Sequence, residues 1–374
     1  MDSDKIRLLY IQQTIGSGGV ERRRLSLAKK LDKTKFELKI ICTQIKGPLV
    51  DQIRAQGVEV IPIVIYKHPF DWKCHKKVQQ IIDDYQPNII HGAVFEGVTM
   101  AAVNGFVKRV PRIIIEETSD PVTRSWKANL LMKFFGRISD CAIGVSPAAV
   151  EYLLYKANIS SSKVKLINNG VAIPRNVSEE EKVALKKELG IKSNELVVGS
   201  VGRMLQDDNK RFSDLIKAFA LLSKNNPNCK LLLVGEGPEK EGYQNLVKRL
   251  EIEKNVIFAG YQSDTDLYYA VMDVFCLVSA HEAFGLVLAE AMLHKLPIVA
   301  TAVGGMKYIV KDKETGFLVK RFDIKAISMK LQLFISDKNL REKFGQEAFR
   351  RALNKYTEEI YVGEIEKVYL NLLK

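Results

Sequence analysis

The 374-residue chain has no apolar run approaching the roughly 20 residues that a membrane-spanning helix needs, and its start, MDSDKIRLL, is acidic with no apolar signal segment. A cytoplasmic protein is therefore expected. Cysteine is scarce: Cys42, Cys74, Cys141, Cys229 and Cys276 are odd in number and scattered, and none forms a C-x-x-C pair. Neither a disulfide framework nor a zinc site is indicated, and because most of them sit inside apolar strand-like runs they are expected to fill the core. Acidic residues are outnumbered, 44 Asp and Glu against 57 Lys and Arg, which leaves a formal net charge of +13. An anionic partner follows, whether nucleic acid, an anionic membrane leaflet or a phosphorylated small molecule. Since no nucleic-acid motif accompanies the charge, no nucleic-acid partner is expected. The cations fall in short clusters, among them Arg22-Arg23-Arg24, Lys29-Lys30, Lys76-Lys77 and Lys186-Lys187, often near acids, which is the pattern of solvated helix faces.

What is present is ordinary for a globular chain: 47% hydrophobic and 27% charged residues, with a length that predicts two domains. Short runs rich in Ile and Val alternate with segments of helical period. In the first half the strands are expected at Ile6 to Ile11, Phe36 to Cys42, Val58 to Ile65, Asn88 to His91, Arg112 to Ile115 and Cys141 to Val145. Apolar runs that do not alternate are buried on both faces, hence a parallel sheet with helices on each side. The looser segment Asn169 to Val177 precedes an acidic helix start, Ser178-Glu179-Glu180-Glu181, and a second series of the same kind. The fold class is α/β, two doubly wound Rossmann-like domains facing a central cleft. The boundaries expected are 1–173 for the first domain and 174–356 for the second, with 357–374 a final helix that ties down one domain or crosses the interface. Ligands are expected outside the carboxyl ends of the strands.

Three strand-to-helix turns hold the chemistry. The first, Gly16-Ser17-Gly18-Gly19-Val20-Glu21-Arg22, offers exposed amides and a helix N-terminus to an anion. A dinucleotide fingerprint needs a glycine where Glu21 stands and an acid near Thr43 and Gln44, so NAD is disfavoured. The second turn ends a buried strand with Gly202-Arg203-Met204 and continues to Lys210-Arg211, fixed cations that suit a diphosphate. The third, Ser279 to Ala291, places the free amides of Phe284, Gly285 and Leu286 at a helix start. Its two acids, Glu282 in the loop and Glu290 in an otherwise apolar helical run, share the sign of phosphate and should bind hydroxyls instead. A nucleotide sugar supplies that combination: a diphosphate for cations and amides, a sugar for Glu282 and a ribose diol for Glu290. Thr301 to Met306, with Gly304-Gly305, forms another such turn in the same sheet.

Gly202-Arg203 with Lys210, Glu282 and Glu290 with seven residues between them around Phe284-Gly285, and Gly304-Gly305 resemble retaining glycosyltransferases of the GT-B fold, family 4, the type found in bacterial surface-polysaccharide and lipid glycosylation. The first half agrees through Gly18-Gly19-Val20-Glu21-Arg22, Pro87 to His91, Val145-Ser146 and Asn169-Gly170-Val171. The resemblance implies transfer of a sugar from a nucleotide-diphosphate donor, UDP-linked in most members, to a hydroxyl of a glycan or lipid-linked acceptor. It implies Glu282, Arg203 and Lys210 as the catalytic set, and donor contacts from Gly18, Gly19, Arg203, Lys210, Glu282, Phe284, Gly285, Leu286 and Glu290. It implies no metal and no cofactor beyond the co-substrate, in agreement with the lack of a D-x-D signature in a suitable loop. Two features depart from the family. Where many members carry a histidine after the fifth strand this chain has Thr118, so either Glu117 substitutes or the acceptor is held differently. The Arg203-to-Lys210 spacing is also long, with Asp207 and Asp208 inside it, so Lys210 and Arg211 share the phosphate assignment.

Acceptor specificity belongs to the first domain. There Trp126, Leu130, Leu131, Phe134 and Phe135 recur at helical spacing beside Lys127, Lys133 and Arg137. The segment is either a core helix or a basic amphipathic face lying on a membrane. With Arg22-Arg23-Arg24 and the net charge, weak peripheral association with an anionic membrane is expected, at the inner face of the cell membrane. Two rival readings share the architecture: a nucleotide-sugar isomerase such as a 2-epimerase, and a non-catalytic nucleotide-sugar-binding module.

Overall fold

The computed structural model describes residues 5–16, 19–66, 68–69, 71–119, 124–205 and 209–374. The chain divides into two units, one of Met1–Val171 with Thr357–Lys374 and one of Ala172–Tyr356. The first has β1 (Ile6–Ile15), α1 (Gly19–Lys30), β2 (Phe36–Ile45), α2 (Leu49–Arg54), β3 (Glu59–Pro62), α3 (Trp72–Tyr85), β4 (Ile89–Ala93), α4 (Val94–Val107), β5 (Arg112–Glu117), α5 (Trp126–Ile138), β6 (Cys141–Gly144), α6 (Pro147–Tyr155) and β7 (Val164–Leu166). Its seven strands are parallel in the order β3-β2-β1-β4-β5-β6-β7, so the winding reverses between β1 and β4. The apolar strands bury both faces, as at Leu8 to Ile11 and Ile113 to Ile115. Ser125 and Ser146 each accept an amide at the start of α5 and α6, which fixes where those helices begin.

The second unit runs α7 (Glu179–Glu188), β8 (Leu196–Val201), α8 (Phe212–Ser223), β9 (Cys229–Val234), α9 (Lys240–Arg249), β10 (Val256–Gly260), α10 (Thr265–Tyr269), β11 (Val274–Leu277), α11 (Leu286–Leu293), β12 (Ile298–Thr301), α12 (Met306–Ile309), β13 (Gly316–Val319), α13 (Ile324–Ser336) and α14 (Lys338–Lys355). Its six strands are parallel in the order β10-β9-β8-β11-β12-β13, with the reversal between β8 and β11. Both sheets are of the Rossmann-like type expected. The acidic start of α7 is a full capping box of Ser178 and Glu181.

The last helix, α15 (Glu358–Leu373), is part of the first unit. Its Tyr361, Val362, Ile365 and Tyr369 join the core of β1, β2 and α1. Gly170 is required where the chain leaves and re-enters: a Cβ there would stand 2.3 Å from the carbonyl oxygen of Thr357. Val171 and Thr357 form a parallel bridge at the same point. The Asn169-Gly170-Val171 motif is thus a crossing of two backbones.

Several expectations need correction. Two strands had no counterpart in the sequence reading. β7 is three residues long with a lysine at its centre and mostly exposed side chains, and β13 is four residues at the other sheet's edge. In the Arg22-Arg23-Arg24 cluster only Arg22 is on a solvated face, since Arg23 is 1% and Arg24 0% exposed. The five cysteines are all buried and free, as core packing requires. Among the described residues no helix is long and apolar enough to cross a membrane.

Candidate active site

Because the winding reverses between β8 and β11, the loops that leave these adjacent strands depart on opposite sides and open a crevice at their carboxyl ends. Lys210 lies in the loop after β8 and Glu282 in the loop after β11, 72 residues apart, and the reversal brings Lys210 Nζ into an ion pair with Glu282 Oε2. The two side chains are 22% and 18% exposed, so both are reachable by solvent. Main chain joins these two loops, Ala280 N donating to Asn209 O at 2.7 Å, and ties them to their neighbours, Met204 N donating to Glu236 O after β9 at 2.8 Å and Gly305 N after β12 to Glu282 O at 2.9 Å. Gly305 permits this closeness, since a Cβ on it would lie 2.2 Å from the Ala283 carbonyl oxygen and 2.8 Å from Phe284 Cα.

The two cations that shared the phosphate assignment separate in the structure. Arg211 begins α8 with a left-handed φ of 52° and grips buried Asp214 through Nε at 2.9 Å and NH2 at 2.8 Å. Arg211 thus bonds Asp214 within its own helix, whereas Lys210 pairs with Glu282. Arg203 is exposed just beyond β8. Asp207 and Asp208 lie outside the described residues.

The third turn begins its helix two residues later than the sequence pattern suggested. Gly285 is the cap, with φ 98°, and α11 starts at Leu286. The Phe284 ring is buried and packs edge-on against Tyr356 at 5.7 Å, so its side chain belongs to the core. Glu290 is half-buried on α11, and the partner its apolar surroundings demanded is Tyr269, whose hydroxyl donates to Oε2 at 2.8 Å. The Tyr269 ring stacks on His294 with centroids 4.8 Å apart, and His294 Nδ1 donates to the carbonyl oxygen of Glu290 at 2.8 Å. His294 Nε2 stands 3.4 Å from Asp266 Oδ1. Burial raises the Asp266 carboxyl, but hydrogen bonds from His294 and from the Arg175 amide outweigh it and hold the group below its ordinary value. Asp264 accepts from Arg175 Nε at 3.0 Å and NH2 at 2.6 Å. The D-x-D spelling of Asp264-Thr265-Asp266 is therefore a clamp on Arg175 and His294. Sequence reading missed Tyr269, His294 and Asp266, because their tie to Glu290 is made by packing and carries no local motif.

In the first unit, Gly19 is the first residue of α1, while Gly18 lies outside the described residues. Glu116 and Glu117, adjacent on β5, point to opposite sides of the sheet and each meets arginine. Glu117 is 3% exposed and accepts from Arg124 NH2 at 3.1 Å, Ser119 Oγ at 2.6 Å and the Ser119 amide at 3.0 Å, with a second ion-pair contact to Arg124 NH1. Arg124 also donates to the Tyr152 hydroxyl at 3.0 Å. Glu117 is thus held in place by Arg124 and Ser119. Thr118 beside it is partly exposed.

Glu116 is fully buried, with Arg23 NH1 at 2.6 Å, Arg24 NH2 at 3.4 Å, His91 Nε2 at 3.5 Å and a hydrogen bond from the Tyr10 hydroxyl. Burial would raise its carboxyl, but the two guanidiniums prevail and hold it at about 2. Burial pushes the His91 imidazole down to about 3, against the pull of Glu116 and with help from Arg24 and Arg23.

α5 presents two faces. Phe135 and Met132 are buried and Leu131 partly so, while Trp126, Leu130 and Phe134, spaced four residues apart, are 71%, 61% and 52% exposed beside Lys127, Lys133 and Arg137. The core-helix and open-face readings each describe one side.

Comparison with known proteins matches residues 181–351 to the family described as Glycosyl transferases group 1 and residues 17–175 to Glycosyltransferase Family 4. An uncharacterized glycosyltransferase of Haemophilus influenzae is 28% identical over 338 residues, 88% of this chain and 90% of that protein. The capsular polysaccharide biosynthesis glycosyltransferase CapM of Staphylococcus aureus is 32% identical over 208 residues, 55% of this chain and 54% of that protein. The fold is shared with Anabaena HepE, solved in complex with UDP, at a TM-score of 0.86 and 22% identity, covering 98% of this chain and 100% of that one.

Proposed function

The chain belongs to family 4 of the GT-B glycosyltransferases, and from that premise we infer that it transfers a sugar, with retention at the anomeric carbon and without a metal, from a UDP-sugar to a hydroxyl of a glycan or lipid-linked acceptor. CapM is a capsular polysaccharide biosynthesis glycosyltransferase and LpsE of Rhizobium meliloti a lipopolysaccharide core one, and surface-polysaccharide biosynthesis is the setting inferred here.

The observation that carries the reading is the ion pair of Lys210 and Glu282 at the strand-order reversal. A cation and an acid placed together outside parallel strand ends match the two ends of a glycosyl phosphate. As donor enters, the ammonium turns to the diphosphate and the carboxylate accepts from hydroxyls of the sugar. Arg203 and the amides at Gly285 and Leu286 add positive charge where negative charge develops on the leaving group. Glu290 takes the ribose diol. The bond from the anomeric carbon to the diphosphate oxygen breaks while the acceptor oxygen bonds to the same face. The acceptor proton passes to a donor phosphate oxygen, so that no protein nucleophile is needed.

The exposed stripe of Trp126, Leu130 and Phe134 with its flanking cations supports weak peripheral attachment to an anionic membrane, at its cytoplasmic face. Arg23 and Arg24, buried on Glu116, take no part in it.

The test is to incubate the protein with UDP- and GDP-sugars, with and without candidate acceptors and with chelator present, and to read nucleotide release by mass spectrometry and the anomeric configuration by NMR. Chelator-resistant release of UDP with an α-linked product from an α-linked donor is expected. Loss of activity on chelation or an inverted product would overturn the mechanism, and donor conversion to an epimer would mark an isomerase instead.

A further inference from the structure

The first unit carries a groove that the donor-side chemistry does not use. It is a cavity of ≈ 560 Å3, walled by Lys73, Lys76, Lys77 and Gln80 and floored by Pro62, Ile63 and Val64. The floor is the carboxyl end of β3 and the residues beyond it, and the wall is one stripe of α3, spaced i, i+3, i+4 and i+7. Cys74, buried on the core side of α3, donates its thiol to the Val64 carbonyl oxygen at 3.3 Å and so holds floor and wall together.

The placement of these lysines works against the stability of the helix. All three lie in its first six residues, where the aligned peptide dipoles disfavour cations, and the first turn holds no acid. Spaced three and four apart, they repel one another. Among the described residues none of the three has a carboxylate partner. A local rule broken three times on one stripe marks a functional surface. Next to the cations the surface turns apolar: Val64, Ile65 and Trp72 are 55%, 60% and 59% exposed. The lysine stems line the groove with methylene groups and leave their ammonium groups at the rim.

We propose that this groove binds a phosphate-bearing amphiphile, its phosphate on Lys73, Lys76 and Lys77 and its hydrocarbon chain against Ile63, Val64, Ile65 and Trp72. The groove lies wholly in the first unit, and its binding of such a ligand is independent of the donor reading. Three cations on one stripe exceed what a carboxylate needs and match the doubly charged phosphate group, while the apolar floor excludes a simple sugar phosphate as the best-fitting ligand.

The chain has two tryptophans, so Trp126→Phe leaves Trp72 as the sole reporter beside the groove. Decyl phosphate, kept below its micelle concentration, is titrated against this variant, with decanol and inorganic phosphate as comparisons. A saturable change in Trp72 emission is expected with decyl phosphate, weakened about tenfold or more in the Lys73→Gln, Lys76→Gln, Lys77→Gln background and with each half-ligand alone. A parallel arm measures sedimentation with phosphatidylcholine vesicles with and without phosphatidylglycerol. Lysine-dependent vesicle binding without any binding of monomeric decyl phosphate overturns the groove in favour of a membrane-surface patch. Equal binding of decyl phosphate by the triple variant overturns it too. The triple variant should retain the wild-type melting temperature and its shift by UDP. Failure of UDP to bind the wild type would count against the donor reading, while the Trp72 titration reports on the groove independently.

Discussion

Tyr269 donates its hydroxyl to Glu290 Oε2 at 2.8 Å while its ring stacks on His294, which in turn holds the backbone of Glu290. One fully buried tyrosine thus fixes both the rotamer and the local environment of the acid assigned to the ribose. The ring also packs on Phe275 of β11, at 5.7 Å, which ties that orientation to the sheet.

Tyr269→Phe removes the hydrogen bond and keeps the packing. A net loss of about 1 kcal/mol raises the donor KM roughly fivefold and leaves kcat within about twofold, because the ribose is bound alike in ground and transition states. Steady-state kinetics decide it, and a fall in kcat at constant KM would count against the ribose assignment for Glu290.

Lys210 and Glu282 are expected to act on the departing diphosphate and on the transferred sugar. Lys210→Ala and Glu282→Ala should each lower kcat on the order of 100-fold or more. The pair is partly exposed, so either change should alter stability by no more than about 1 kcal/mol. Turnover and urea unfolding measured on the same preparations separate the two effects; a protein that loses its fold along with its activity would refute the assignment.

Gly305→Ala forces a methyl group into the Ala283 carbonyl and displaces the turn that carries Glu282 and the helix start. A cost of about 1–3 kcal/mol in stability is expected, with a smaller UDP-induced rise in melting temperature than wild type. Unchanged UDP binding would show that this turn lies away from the donor.

Acid should weaken the first unit in two overlapping ranges. His91 is held at about 3 against an ordinary 6.5, so the unfolded chain takes up its proton first and stability falls as pH drops from 6.5 toward 3. Glu116 is held at about 2 against 4.5, so its contribution is intact above 4.5 and is lost as pH drops toward 2. Each site gives a slope of at most about 1.4 kcal/mol per pH unit. Thermal melts from pH 7 to pH 4 check this, with His91→Gln expected to flatten the upper part of the profile. A wild-type melting temperature that does not change between pH 7 and pH 5 would contradict it.

Much of the architecture was legible before any coordinates. Continuous apolar runs such as Leu8 to Ile11 and Leu231 to Val234 need burial on both faces. The Glu282-to-Glu290 spacing identified the third turn, because an acid inside an apolar helix is too costly to be there without a partner. Short elements escaped, as β7 did, since three residues with a central lysine leave no period to detect.

What the sequence determined by itself is therefore everything that depends on neighbours a few residues apart: strand and helix alternation, helix starts, glycine turns and the acids that stand out against apolar runs. The tertiary structure alone decided which charges meet. Arg23 and Arg24 read as surface residues until β5 places Glu116 beneath them. Arg211, adjacent to Lys210, turns to Asp214 instead of the crevice, and Lys210 reaches Glu282 across 72 residues because the strand order reverses between β8 and β11. The reason is physical. Local pattern sets backbone conformation and burial, whereas the energy of a charge is set by the partners that the sheet brings within a few ångströms of it, and those lie far away along the chain.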